Sequence, residues 1–210
     1  MNTQILPACE ANSLERAAEL LCAGQLVAFP TDTVYGVGAP VFDAKSVASI
    51  YVAKERPPEK AIPVLIADDS DLPRIASCVP DVARVLIAQF WPGGLTLVLP
   101  KRPDVPEIVS GDETVAVRIP DLDLARALMR LTGPLAATSA NRSGQPSPVT
   151  AEDVMAQLGG RIAAVLDGGL CPGGVPSTVV DCVAWPPCVL RQGALTVAML
   201  RGVAPDLQVG

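Results

Sequence analysis

The chain has 210 residues, half of them apolar and 18% charged, and 22 acidic against 16 basic side chains leave a net charge of −6. That is enough apolar material for one buried core and too much for a disordered chain. With no histidine in the sequence, Ser-His-Asp and Cys-His nucleophiles, His-ligated zinc and His proton shuttles are excluded. Asn12 or Ser13 caps a predicted helix with Leu14, Ala17, Ala18 and Leu21 on one face, stopped by Gly24. LVAF (26–29) reads as a buried strand and PTDTVYGVG as a loop. Asp43 caps a second helix with apolar Val47, Ile50 and Tyr51. It ends near Glu55, because the Pro57–Pro58 pair pushes Arg56 out of the helical region. IPVLIA (62–67) is a strand, PDVARVLIAQFW (80–91) an amphipathic helix, and LTLVLP (95–100) and TVAVRIP (114–120) are strands. LDLARALMRLTG (122–133) is a helix with a glycine stop, PLAATSA (134–140) a strand entering a polar loop, and TAEDVMAQLGG (150–160) a capped helix. AAVLD (163–167), STVVDCV (177–183) and CVLRQG (188–193) complete the strands.

Strands interleave with helices, and several strands are apolar throughout. The pattern predicts a single α/β domain over 1–200, with a mixed or partly parallel sheet flanked by helices, and a tail over 201–210. No run reaches the roughly 18 apolar residues of a membrane helix. The start MNTQILPACEANSLER lacks the layout of a signal peptide. A cytoplasmic location without a membrane partner is therefore expected. The six cysteines are dispersed, with no C-x-x-C pair, and read as buried reduced thiols rather than metal ligands; no metal site is expected.

Four segments deliver polar clusters to loops beyond apolar elements, where open α/β sheets bind ligands. PTDT supplies Thr31, Asp32 and Thr33, which turn chemistry would equally explain. K-E-R-P-P-E-K places Lys54, Arg56 and Lys60 within seven residues. The prolines hold it extended, so Lys54 and Arg56 are expected to point the same way, a layout suited to a polyphosphate. A helix C-terminus that favours cations is the plainer explanation. T-S-A-N-R-S-G (138–144) brings hydroxyls, an amide and a glycine that could cradle a phosphate or ribose. Ser177–Thr178 and Arg191 make the fourth group. Arg118 is a cation inside the otherwise apolar VAVRIP and needs a partner. A ligand carboxylate and an internal Asp or Glu both satisfy it. Neither a P-loop nor a Rossmann fingerprint is present.

PTDTVYG, K-x-R-P-x-x-K, WPGGLT (91–96), V-x-V-R-x-P, T-S-A-N-x-S-G and P-S-T-V-V-D occur in this order over about 25–193. In this the chain resembles the YrdC-like family, the L-threonylcarbamoyl-AMP synthases also called TsaC, in its short single-domain form. The resemblance implies a twisted sheet with a large ligand cavity. It also implies the reaction of ATP, L-threonine and bicarbonate or CO2 to L-threonylcarbamoyl-AMP and pyrophosphate, with Mg²⁺ accompanying ATP. The product would feed threonylcarbamoyladenosine formation in tRNA through downstream transfer proteins. Such a step needs positioning and charge neutralisation more than a side-chain nucleophile. By resemblance, Thr33, Arg118, Thr138 and Thr178 hold threonine. Lys54, Arg56 and Ser139 serve the reaction centre. Arg56, Lys60, Ala140, Asn141, Pro148, Ser177 and Arg191 surround ATP. Many members carry Pro-Leu after the second lysine and a His in the next strand; here Ala61–Ile62 and Leu65 stand there, so Leu65 takes that place on the threonine-pocket wall.

Two other readings belong to different classes. The family has been linked to tRNA and double-stranded RNA, but a chain at −6 can form a cationic pocket and hardly a broad basic stripe, so weak or no direct tRNA binding is expected. A relative using carbamoyl phosphate, as in hydrogenase-maturation proteins, would sit in a much larger chain with zinc-finger segments.

Overall fold

Residues 2–210 are described by the structure, a computed structural model. Its strands are β1 (Gln4–Pro7), β2 (Val27–Phe29), β3 (Gly36–Pro40), β4 (Val64–Leu65), β5 (Leu95–Pro100), β6 (Thr114–Arg118), β7 (Leu135–Ser139), β8 (Ala164–Asp167), β9 (Thr178–Asp181), β10 (Cys188–Arg191) and β11 (Gln208–Val209). The helices are α1 (Ser13–Cys22), α2 (Ala44–Lys54), α3 (Asp81–Phe90), α4 (Asp123–Thr132), α5 (Ala151–Leu158) and α6 (Val197–Arg201). All eleven strands form one sheet in the order β1-β8-β2-β3-β7-β4-β6-β5-β9-β10-β11. The pairs β1–β8, β8–β2, β4–β6, β5–β9 and β10–β11 are parallel and the rest antiparallel, so the sheet is mixed.

The helix boundaries follow their caps. Asp43 accepts from the Lys45 and Ser46 amides at the start of α2, and Thr150 and Asp153 make a capping box at α5. Asn12 instead sits in the left-handed region and its side chain caps nothing.

Strand alternation sorts the core into two faces. On one, Val64, Val117, Leu95, Leu97, Leu99 and Val180 pack with Val47 and Ile50 of α2, Leu86 of α3 and Val154 of α5. On the other, Val27, Phe29, Leu65, Leu135, Ala137 and Leu166 pack under α1 and α4. That second layer draws on β2, β8, β7 and β4 but on none of β5, β6 and β9. Beyond β4 the helical cover stops, and the side chains of β6, β5 and β9 that alternate away from the first core, Ala116, Arg118, Thr96 and Val179, floor an open cleft.

Three expectations are corrected. The loop assigned to PTDTVYGVG ends early, because Gly36–Pro40 is strand β3, paired to both β2 and β7. Residues 201–210 are no free tail: Ala204 and Leu207 are buried, and β11 adds a strand beside β10. All six cysteines are free, but Cys9, Cys22 and Cys78 are exposed rather than buried. Among the described residues no helix is long and apolar enough to cross a membrane.

Candidate active site

The cleft has a volume of about 350 Å³, within the range of small-molecule sites. Arg56, Arg118 and Arg191 line it with Thr31, Thr33, Thr96, Thr138, Ser139, Ser147 and Ser177, against an apolar wall that includes Leu65 and Ala137. No Asp or Glu is among the described residues lining it. Burial pulls the pKa of all three guanidiniums below its ordinary value, and the charge of Arg191 adds to the lowering at Arg56 and Arg118. Asp32 partly offsets this at Arg118. Three cations converging on one cleft favour an anionic ligand.

Arg118 stands at the end of β6, 5% exposed. Its Nε donates to the Gly93 carbonyl (2.9 Å), Nη1 donates to Thr33 Oγ1 (2.9 Å), and Nη2 pairs with Asp32. Of the two sequence alternatives the internal carboxylate is the one seen, Asp32, and the guanidinium also lines the cleft. The PTDT loop is shaped for this. Thr31 Oγ1 donates to the Val34 carbonyl (2.7 Å) and contacts Thr33 Oγ1 (2.9 Å), so Thr31 does the turn chemistry while Thr33 serves Arg118. The amides of Gly173 and Gly174 hold the carbonyls of Asp32 and Thr33 from behind. A Cβ at Gly173 would lie 2.5 Å from the Asp32 oxygen, so only glycine allows that approach.

Lys54 does not share a direction with Arg56, contrary to the sequence expectation. It is the last residue of α2, and Glu55 takes a left-handed conformation (φ 53°) that separates the two. Lys54 is 2% exposed, and its Nζ donates to the carbonyls of Ser139 and Asn141. Burial, with Arg56 nearby, pushes its pKa down to about 7. Its own carbonyl accepts from the Ser143 amide (2.9 Å), so the helix end clamps the 139–143 turn from inside. Arg56 leaves the helix toward the cleft, fixed by bonds from Nε to the Lys60 carbonyl and from Nη2 to the Ala61 carbonyl.

The cleft thus gathers Thr33, Arg56, Leu65, Arg118, Thr138, Ser139, Ser177 and Arg191 from the expected set. It does not gather the other six. Lys54 lies behind the turn, and the Lys60 side chain is exposed outside. The Ala140 amide donates to the Tyr35 carbonyl, and the Pro148 carbonyl accepts from the Tyr35 amide, so both backbones brace the PTDT loop. Asn141 donates from Nδ2 to the carbonyls of Arg142 and Gln145, and its buried Oδ1 has no partner among the described residues. Thr178 is fully buried, with Oγ1 donating to the Leu195 carbonyl (2.6 Å) and accepting from the amides of Gly193 (2.9 Å) and Leu195 (3.0 Å). Thr178 therefore ties down the loop after Arg191.

Sequence reasoning left Thr96, Ser147 and the pairing role of Asp32 unassigned. Thr96 interrupts the leucines of LTLVLP, the same signal that marked Arg118, and its Oγ1 lies 2.8 Å from Ser177 Oγ. Arg191 Nη2 donates to the Ser177 carbonyl (2.9 Å) and approaches its hydroxyl (3.4 Å), so Ser177, just before β9, links β5 to β10 at the cleft floor. Ser147 carried no sequence signal.

The family model described as telomere recombination, Sua5/YciO/YrdC, matches residues 19–193. The chain belongs to the Sua5/YciO/YrdC family. It is 46% identical over 199 residues to a Bacillus subtilis protein named threonylcarbamoyl-AMP synthase, covering 93% of this chain and 58% of that one. A Mycobacterium tuberculosis protein named putative threonylcarbamoyl-AMP synthase is 38% identical over 198 residues, 94% of this chain and 91% of its own length. The crystal structure of P. abyssi Sua5 complexed with L-threonine superposes with a TM-score of 0.95 at 40% identity, over 100% of this chain and 63% of that one. The chain thus spans under two thirds of the length of the Bacillus and Pyrococcus family members.

Proposed function

We propose that this chain is an L-threonylcarbamoyladenylate synthase, joining ATP, L-threonine and bicarbonate or CO2 with release of pyrophosphate. The observation that carries the reading is one cleft lined by three guanidiniums and a row of hydroxyls, in a chain with 46% identity to a threonylcarbamoyl-AMP synthase.

In this reading the threonine amine adds to CO2, losing a proton and forming an N-carboxylate. A carboxylate oxygen then attacks the α-phosphorus of ATP, and the bond to the bridging oxygen of pyrophosphate breaks. The chain's own task is to hold two anions together and to neutralise charge as it develops. Arg56 and Arg191 take the phosphates, with Lys60 reaching in from the rim. Mg²⁺ arrives with the triphosphate as part of the substrate. Arg118, held by Thr33, takes the α-carboxylate of threonine beside Thr138, and Leu65 packs its methyl side. Ser139 and Ser177 offer hydroxyls to the reacting groups. Lys54 acts through the turn, fixing the carbonyls that set Ser139, Ala140 and Asn141, while Pro148 and Thr178 fix the loops on either side.

Pyrophosphate release from ATP and Mg²⁺ should require threonine and bicarbonate together. Equal release without an amino acid would reduce the protein to an ATP pyrophosphohydrolase and overturn the reading.

A further inference from the structure

Thr96 is the only polar residue of β5, and it lines the cleft although it is 2% exposed. Its Oγ1 lies 2.8 Å from Ser177 Oγ and has no other partner among the described residues. Two hydroxyls carry two protons, and the bond between them uses one. No described residue accepts the other, so the pair keeps one O–H for whatever fills the cleft. Ser177 is the less deeply set of the two, at 6% exposed, and Arg191 Nη2 comes to 3.4 Å from its Oγ. With Thr96 and Arg191 both directed at that oxygen, the Ser177 proton turns toward the cleft, and the neighbouring positive charge strengthens it as a donor.

The two partners differ in freedom. Thr96 is β-branched, on a strand paired to β6 on one side and β9 on the other, so its side chain has few choices. Ser177 stands just before β9, with an unbranched hydroxymethyl group open to any staggered rotamer. The stiff residue therefore sets the free one. Strand β5 also lies between β6, which carries Arg118, and β9, which leads to β10 and Arg191. The inference rests on the proposed function, in which Arg118 takes the threonine carboxylate and Arg191 the phosphates, so the two substrates meet above this pair. We infer that Thr96 is a positioning residue for the adenylation step, holding the Ser177 hydroxyl as a dedicated donor to the oxygen on which negative charge grows as the N-carboxylate attacks the α-phosphorus. The proton stays on Ser177 throughout. Such a bond is stronger in the transition state than in the ground state, so its loss falls on kcat rather than on binding.

Initial rates of pyrophosphate release over ranges of ATP and threonine, with a melting curve for each protein, test this on the full chain. Thr96→Val removes the hydroxyl at nearly constant size, and Ser177 can turn to water in the cleft, so the melting temperature should stay close to that of the wild-type protein. Both half-saturation concentrations should stay within about threefold while kcat falls about tenfold. Ser177→Ala should lower kcat about 10- to 100-fold, the scale of one hydrogen bond to a charged group. Adding Thr96→Val to Ser177→Ala should cost nothing more, and Thr96→Ser should restore most of the rate. Full activity in Thr96→Val, or losses that multiply in the double variant, overturn the inference. So does a Thr96→Val protein changed only in melting temperature, since Thr96 would then be structural. A Thr96→Val loss larger than that of Ser177→Ala overturns it as well, because the free proton would then belong to Thr96. If the wild-type protein releases no pyrophosphate with ATP, threonine and bicarbonate all present, the proposed function fails and the inference fails with it.

Discussion

Replacing Thr178 with Val separates two roles that the sequence alone could not. The side chains are nearly the same size, so the change opens no cavity; it removes one donor and one acceptor from a site with no solvent exposure. The Leu195 carbonyl and the amides of Gly193 and Leu195 all lose their bonds to Oγ1. Gly193 lies close against the 176–177 backbone, where a Cβ on it would lie 2.1 Å from the Pro176 oxygen. At about 1 kcal/mol for each lost bond, and more where a group stays dry, the cost is about 2–4 kcal/mol. For a chain of this length that lowers the melting temperature by about 4–16 °C. Thermal unfolding by circular dichroism reads the first number, and pyrophosphate release against threonine concentration reads the half-saturation point. The expected result is a clear loss of stability with threonine demand little changed. An unchanged melting temperature with a many-fold higher threonine requirement would refute this reasoning and return the Thr178 hydroxyl to the substrate.

Arg56→Ala should weaken ATP binding by about 1.5–3 kcal/mol, the worth of hydrogen bonds to a charged group; calorimetry showing undiminished affinity would move the phosphates elsewhere. Lys54 gives a pH signature. Its pKa falls from the ordinary 10.5 to about 7 on folding, so between these values the unfolded chain binds more protons and stability rises with pH. Melting curves from pH 7 to 10 should show that rise in the wild-type protein and not in Lys54→Met; parallel curves for the two proteins would argue against the buried, desolvated amine.

Much of the fold was legible because local and long-range demands agreed. LTLVLP became β5 with no change of boundary, and the Asp43 cap and the Pro57–Pro58 stop set both ends of α2. Strand β3 was hidden because GVGAP has little strand propensity of its own. It forms because Phe29 packs against it: a Cβ on Gly38 would lie 3.1 Å from that ring and 3.3 Å from the Ala136 carbonyl. Strand β11 is two residues long and exists only by pairing to β10. At the cleft, residues that project from strand ends or loops onto the uncovered sheet face were found by their polar character. Lys54, Asn141 and Thr178 have the same character, but their partners come from carbonyls and amides far along the chain or in the next loop. Whether a buried polar group meets ligand or backbone is decided by that distant packing, which spacing does not report.

The central claim is that three substrates become one adenylate in the arginine-lined cleft. Its most direct test is the mass of the nucleotide product after incubation with ATP, Mg²⁺, L-threonine and ¹³C-bicarbonate. The account predicts a species containing AMP, threonine and a single labelled carbon, formed in step with pyrophosphate and lost in Arg118→Ala. An adenylate of threonine without the labelled carbon, or AMP and pyrophosphate alone, would contradict it.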